Sequence, residues 1–113
     1  ETKSSGPAFK AFESMPWGYR AMFVLLHTYR VRNGCRTLRE MISRYAPPTE
    51  NHTENYIRAV ATQAQVSPDE ALDTRNGNTM IPIVAAMSRV ENGTPAQMDE
   101  VRAGWDLFVK YPV

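Results

Sequence analysis

Apolar residues recur at intervals of three and four along most of this chain, and this pattern predicts a mostly helical fold. The first helix begins after Ser14, a residue type that caps helices, and ends before Gly34, which suits a closing left-handed turn. Its apolar face comprises Met22, Leu25, Leu26 and Tyr29. Trp17 and Trp105 each belong to an apolar set with helical spacing, so we expect both to be buried.

Start signals divide the rest of the chain into further helices. A capping residue is followed three positions later by an acid or amide at Thr37–Glu40, Asn51–Glu54, Ser67–Glu70 and Thr94–Gln97. These signals predict a second helix over Leu38 to Tyr45, a third from Asn51, a one-turn fourth at Ser67, and a sixth that carries Met98 to Phe108. A fifth helix is expected to begin near Thr79 and to end at Asn92-Gly93.

The fold class that follows is mostly α, a small single-domain helical bundle. We expect residues 9–113 to form this domain and residues 1–8 to form a flexible N-terminal arm. The short alternation Phe9-Lys10-Ala11-Phe12 allows at most one N-terminal strand or hairpin. A length of 113 residues, with 42% hydrophobic and 22% charged residues, is typical of one globular core rather than of a disordered chain.

Charge is distributed unevenly although the net charge is only +1. Residues 20–48 hold six arginines against Glu40 alone, whereas residues 49–73 hold five acidic residues against Arg58 alone. Such asymmetry occurs in polyanion-binding proteins, but opposite charges within one small domain more often pair with each other or face water. Nucleic acid is therefore the weakest of the partner hypotheses.

Other classes of chemistry lack their sequence signals. No apolar run is long enough to cross a bilayer, and residues 1–10 lack the apolar core of a signal peptide. Cys35 is the only cysteine, which excludes an internal disulfide and fits a reducing compartment. There is no phosphate-binding glycine loop and no pair of histidines at metal spacing, so we expect neither a cofactor nor a metal.

Glu91 is the one candidate catalytic residue. It follows Met80, Val84 and Met87 at spacings of four, three and four, which places it at the end of an apolar helical stripe. Partial burial and the negative end of the helix dipole would both favour the neutral form of this carboxyl group, as a general acid requires. The alternative is that the helix frays there and Glu91 faces water.

A second cluster lies around the Pro47-Pro48 turn. Planar polar and aromatic side chains concentrate there, and the candidate substrate-binding residues are Tyr45, Glu50, Asn51, Thr53 and Tyr56. Such a set suits a groove for a sugar or a peptide. It also suits an ordinary loop in which Asn51 caps a helix.

Three stretches resemble a family of phage and prophage virion structural proteins: Phe12 to Met22, Thr37 to Ile57, and Ala85 to Gly93. In that family the region usually follows an Asn-rich stretch similar to one in lysozyme-like peptidoglycan glycosidases, where the stretch follows a helix that ends in a catalytic glutamate. This chain lacks the Asn-rich stretch. Its only Glu-Asn-Gly helix end is at residues 91–93, so a lysozyme-like fold would be permuted, with Glu91 in the place of the general acid.

Two functions follow from the resemblance. The first is a virion-associated protein that binds peptidoglycan glycan strands, with or without cleavage, for which Glu91 is the candidate general acid. The alternative is a non-catalytic structural or interaction module, whose partners are other virion proteins. Either protein would be found in the virion or in the cytoplasm of the bacterial host.

Overall fold

The computed structural model describes residues 14–46 and 50–112, without the side chains of Glu50 and Asn51. These residues form five helices, α1 (Met15–Asn33), α2 (Leu38–Tyr45), α3 (Glu50–Ala64), α4 (Gly77–Asn92) and α5 (Met98–Lys110). In these two ranges no strand forms, and an isolated antiparallel bridge joins Thr37 to Ala71. The predicted small, mostly helical fold is confirmed. The N-terminal arm and strand that we predict lie outside the described residues.

Most helix ends follow the residues that predict them. The Thr37 hydroxyl accepts a hydrogen bond from the backbone N–H of Glu40 at 3.2 Å, and the Glu40 carboxylate accepts one from the N–H of Thr37 at 3.3 Å. This reciprocal pair is the capping box that starts α2. Gly34 and Gly93 close α1 and α4 with φ of 71° and 76°, a conformation that favours glycine.

Two of the predicted helix starts are wrong. The segment from Ser67 is a turn rather than a one-turn helix, because its backbone bonds to another part of the chain: the Pro68 carbonyl accepts from the N–H of Arg39 at 3.0 Å. Helix α5 begins at Met98 and not at Thr94, since residues 94–97 form a bend and an irregular segment and Gln97 is the N-cap. Helix α4 begins slightly earlier than Thr79, because the Asn76 side chain accepts from the Asn78 N–H and caps it.

The core lies between α1 and the other helices. Its largest fully buried side chains are Tyr19, Phe23, Met22, Leu26, Leu38, Met41, Ile42, Ile57, Met80, Ile83, Met87 and Val60. Helices α1 and α5 approach closely because Gly104 has no side chain, and a Cβ there would lie 2.6 Å from Cβ of Tyr19 and 2.8 Å from the Pro16 carbonyl oxygen. The Phe23 ring meets the edge of Trp105 at a centroid distance of 5.0 Å.

One of the two buried-tryptophan predictions is wrong. Trp105 is half-buried and packs against the core, but Trp17 is 43% exposed. At 100° per residue, Trp17 lies on the side of α1 opposite to Leu26, which is fully buried. The apolar residues of α1 therefore occupy both faces of the helix rather than one.

Candidate functional site around Glu91

The structure brings three of the predicted site residues together. The Tyr45 hydroxyl donates to Oε2 of Glu91 at 3.2 Å, and the Tyr56 hydroxyl donates to the same oxygen at 2.9 Å. The two aromatic rings meet edge to face, with centroids 6.2 Å apart and planes inclined at 72°. We call these three residues the Glu91 cluster. It joins the ends of α2 and α4 to the first half of α3.

The sequence positions Glu91 in the way that its apolar stripe predicts. Met80, Val84 and Met87 are fully buried, and Glu91 follows them on the same face of α4 in its last turn. Its side chain is half-buried, so it neither faces water freely nor enters the core. Tyr45 is the last residue of α2, which brings its hydroxyl to the same end of the molecule.

The electrostatics of the cluster depend on the two phenols. Burial, followed by the negative charge of Glu91, raises the pKa of Tyr45 well above its ordinary value of 10. The same causes in the same order raise the pKa of Tyr56 still further. Both hydroxyls therefore stay protonated and act as hydrogen-bond donors to Glu91. Both donors reach the same oxygen, Oε2, so this oxygen of Glu91 is the acceptor of the cluster.

The other predicted groove residues have different surroundings. The Thr53 hydroxyl donates to the carbonyl oxygen of Ala46 at 2.6 Å, so it fastens the end of α2 to the first turns of α3. Glu50 and Asn51 lie in the first turn of α3, and their side chains lie outside the described part of the structure. The binding role of all five residues stays a prediction.

A buried polar node around His27 is not a predicted site. Arg75 lies 3.3 Å from Nε2 of His27, and because a guanidinium can only donate, Nε2 accepts. Nδ1 then carries the proton and donates to the Thr74 hydroxyl at 2.7 Å. His27 is 6% exposed, and burial followed by the charge of Arg75 lowers its pKa. Its sequence signal is weak because its partners come 47 and 48 positions later.

The oppositely charged segments meet at Arg39. Its Nη1 lies 2.6 Å from a carboxylate oxygen of Glu54, and its Nε lies 2.8 Å from one of Asp69. One basic and two acidic residues from the two charged segments thus pair with each other, as the charge pattern indicates. These ion pairs favour the interpretation that the uneven charge distribution serves pairing within the domain, rather than the binding of a polyanion.

Residues 14–46 and 50–112 contain neither a cluster of metal-ligand side chains nor a helix that could span a membrane. No three histidine, cysteine, aspartate or glutamate side chains of that part of the chain converge as ligands would. None of its helices combines the length and the apolar character needed to cross a bilayer.

Comparison with known proteins finds that the chain is similar in sequence to a phage protein. No family model matches it. It is similar to Protein P5 of Pseudoalteromonas phage PM2, with 36% identity over 101 residues, which make up 88% of this chain and 61% of that protein. The chain thus spans less than two thirds of the length of this relative. This similarity supports the coarser part of the resemblance, which is that the chain is related to a phage protein.

Proposed function

We propose that this chain is a non-catalytic structural module of a phage particle, whose role is to contact other virion proteins. Its similarity to a phage protein supports the setting. The observation that carries the non-catalytic part is the convergence of two tyrosine hydroxyls on one oxygen of Glu91.

A general acid must carry a proton and offer it to the bond that breaks. Oε2 of Glu91 instead accepts hydrogen bonds from two phenols, so this oxygen is engaged within the fold. A buried or half-buried hydroxyl without a partner costs free energy, and Glu91 supplies that partner to both phenols at once. In this account Glu91 ties α2, α3 and α4 together and performs no chemistry.

The second candidate function is the binding and cleavage of peptidoglycan glycan strands, with Glu91 as general acid. One observation favours it: Tyr45, Tyr56 and Glu91, chosen from the sequence as site residues, lie in direct contact in the fold. A lytic transglycosylase needs one acid and not the pair of carboxylates that hydrolases use, so the lack of a second candidate carboxylate does not count against it.

Two measurements test the proposed function. The proposal expects that the purified protein neither clears a suspension of peptidoglycan nor sediments with it, and that mass spectrometry finds the protein in purified phage particles. Clearing of peptidoglycan that is lost in Glu91→Gln, with the folded state intact, would replace the proposal with the second candidate. Absence of the protein from particles would contradict the structural role.

A further inference from the structure

The link between α3 and α4 lies against the first two helices with little apolar burial. It comprises residues 66–76, and we call it the strap. Its two buried side chains are Leu72 and Thr74, of which only the first is apolar. Because apolar burial stabilises in proportion to the area removed from water, polar contacts must supply much of what holds the strap in place.

The first half of the strap is fastened to α2, mainly by one residue. The backbone N–H of Arg39 donates to the Pro68 carbonyl at 3.0 Å, and its Nε donates to a carboxylate oxygen of Asp69 at 2.8 Å. The bridge from Ala71 to Thr37 follows along the strap. None of these groups is a histidine, so we expect this half to stay attached over the pH range in which a histidine titrates.

The second half of the strap is fastened to α1 and to the link that follows it. The Leu72 N–H donates to the Arg36 carbonyl at 2.8 Å. Nε of Arg30 donates to the Leu72 carbonyl, but at 3.4 Å this hydrogen bond is long. Two further hydrogen bonds with α1 meet at one side chain, that of His27. The attachment of this half to α1 therefore depends strongly on a single imidazole.

Both ring nitrogens of His27 have their partners on the strap. Nδ1 donates to the Thr74 hydroxyl at 2.7 Å, and Nε2 accepts from Arg75 at 3.3 Å. A neutral imidazole has one donor and one acceptor, which matches these two partners. A protonated imidazole has two donors and no acceptor, so its Nε2 would face a guanidinium that also can only donate. The hydrogen bond with Arg75 would then become a contact between two positive charges.

The other groups around His27 do not remove this conflict. Burial and then the charge of Arg75 lower the pKa of His27, and the opposing charge of Asp73, also on the strap, has a smaller effect. From α5 the imidazole meets the uncharged ring of Phe108, at a centroid distance of 5.8 Å. On α1 itself, Arg32 lines the same hollow as His27 and adds positive charge. The arrangement therefore suits the neutral imidazole and opposes the protonated one.

We propose that the strap is an acid-sensitive device, in which protonation of His27 releases residues 72–75 from α1 while the five helices stay folded. The proton binds to Nε2, which loses Arg75 as its hydrogen-bond partner. Leu72 and Thr74, which are buried while the strap is attached, become accessible to solvent. Release begins below about pH 6.5, where a free histidine takes up its proton. This inference goes beyond the proposed function and does not rest on it.

The test is amide hydrogen exchange of the full chain, followed by NMR at pH 7.5 and pH 5.5. The Leu72 amide reports release, because its N–H is bonded only while the strap is attached. After correction for the intrinsic pH dependence of exchange, its opening constant should rise about three- to tenfold at the lower pH. The upper limit is what one proton on a group with an ordinary pKa of about 6.5 can supply. The Met87 amide, in the buried part of α4, should exchange about tenfold or more slowly than Leu72 at both pH values.

Two variants and a matched control assign the response to His27. His27→Gln should abolish the rise in the Leu72 opening constant, because glutamine does not titrate and its amide still offers an acceptor and donors to the strap. His52→Gln is the control, since it replaces the chain's other histidine, which is exposed on α3, and it should keep the full rise. Arg75→Ala retains His27 but removes the opposing guanidinium, so its rise should be smaller than that of the wild type.

Three results would overturn the proposal. A Leu72 opening constant that is the same at both pH values would show that protonation of His27 does not release the strap. A rise in His27→Gln as large as in the wild type would assign the response to another group. Exchange of the Leu72 amide no faster than that of Met87 would show that the strap opens only when the whole domain unfolds.

Discussion

The Tyr56 hydroxyl lies 2.9 Å from Oε2 of Glu91 and joins α3 to the last turn of α4. These residues are 35 positions apart, so the contact exists only in the folded chain. A second phenol, that of Tyr45, reaches the same oxygen at 3.2 Å. Glu91 is therefore the shared acceptor for two helices, and the stability of this end of the domain should depend on it.

Removal of single hydroxyls tests the two donors separately. We expect Tyr56→Phe to lower the free energy of unfolding by about 1 kcal/mol, because a hydrogen bond to a carboxylate is lost while the ring stays in place. The melting temperature should fall by roughly 4–8 °C in a domain of this size. Tyr45→Phe should cost less, since its hydrogen bond is longer. Tyr111→Phe, at a ring that is 47% exposed, is the control and should melt like the wild type.

The raised pKa values of Tyr45 and Tyr56 predict a loss of stability in alkali. Both phenols are neutral in the folded and unfolded chain below pH 10, so the contribution is fully present there. Above about pH 10 the unfolded chain releases protons that the folded chain keeps, and the free energy of unfolding falls. Absorbance at 295 nm should show these two phenols ionising together with unfolding. Ionisation of all the tyrosines before any loss of helical circular dichroism would contradict this account.

The buried His27 node predicts a loss of stability in acid. Its pKa is lowered in the fold, so below about pH 6.5 the unfolded chain binds a proton that the folded chain resists. Protonation of Nε2 would also remove the acceptor for Arg75. Denaturant unfolding should therefore show a decline in stability between pH 7 and pH 5.5. The free energy of unfolding of His27→Gln should hardly change with pH in that window. If it declines with pH as steeply as in the wild type, other groups cause the decline.

The contact of α1 with α5 predicts that Gly104→Ala destabilises the domain. A methyl group there would lie 2.6 Å from Cβ of Tyr19 and 2.8 Å from the Pro16 carbonyl oxygen, and neither is the end of a flexible side chain. Overpacking of this kind costs about 1–3 kcal/mol, which exceeds the gain that alanine brings to a helix interior. Equilibrium unfolding measures the difference. A variant as stable as the wild type would mean that α5 can move away from α1 without cost.

Local signals in the sequence predict the elements better than they predict the contacts between them. The capping box at Thr37 and the closing glycines depend on neighbouring residues, and α2 begins, and α1 and α4 end, where these residues indicate. Ser67 carries a similar start signal, but the backbone of that segment bonds to Arg39 instead. Such a pairing depends on how distant segments of the chain pack together, and no local sequence signal indicates it.

The candidate site shows the same difference between local patterns, which the sequence reveals, and contacts between helices, which it does not. The apolar stripe of α4 predicts the half-buried position of Glu91 at its end, because the stripe is a property of one helix. That both phenols would donate to a single oxygen depends on the packing of three helices, and no spacing within one helix encodes it. For the same reason the outward position of Trp17 could not be distinguished from a core position by its spacing alone.

The most direct test of the structural role of Glu91 is the free energy of unfolding of Glu91→Gln, alone and in a Tyr45→Phe/Tyr56→Phe background. If Glu91 serves as the shared acceptor, Glu91→Gln should lose about 1–2 kcal/mol in the wild type, because two charge-assisted hydrogen bonds become weaker. In the double-phenylalanine background its cost should fall to about 0.5 kcal/mol or less, which reveals the coupling. A Glu91→Gln variant that is as stable as the wild type, or more stable, would contradict this account and favour a catalytic carboxylate, since active sites often carry residues that cost stability.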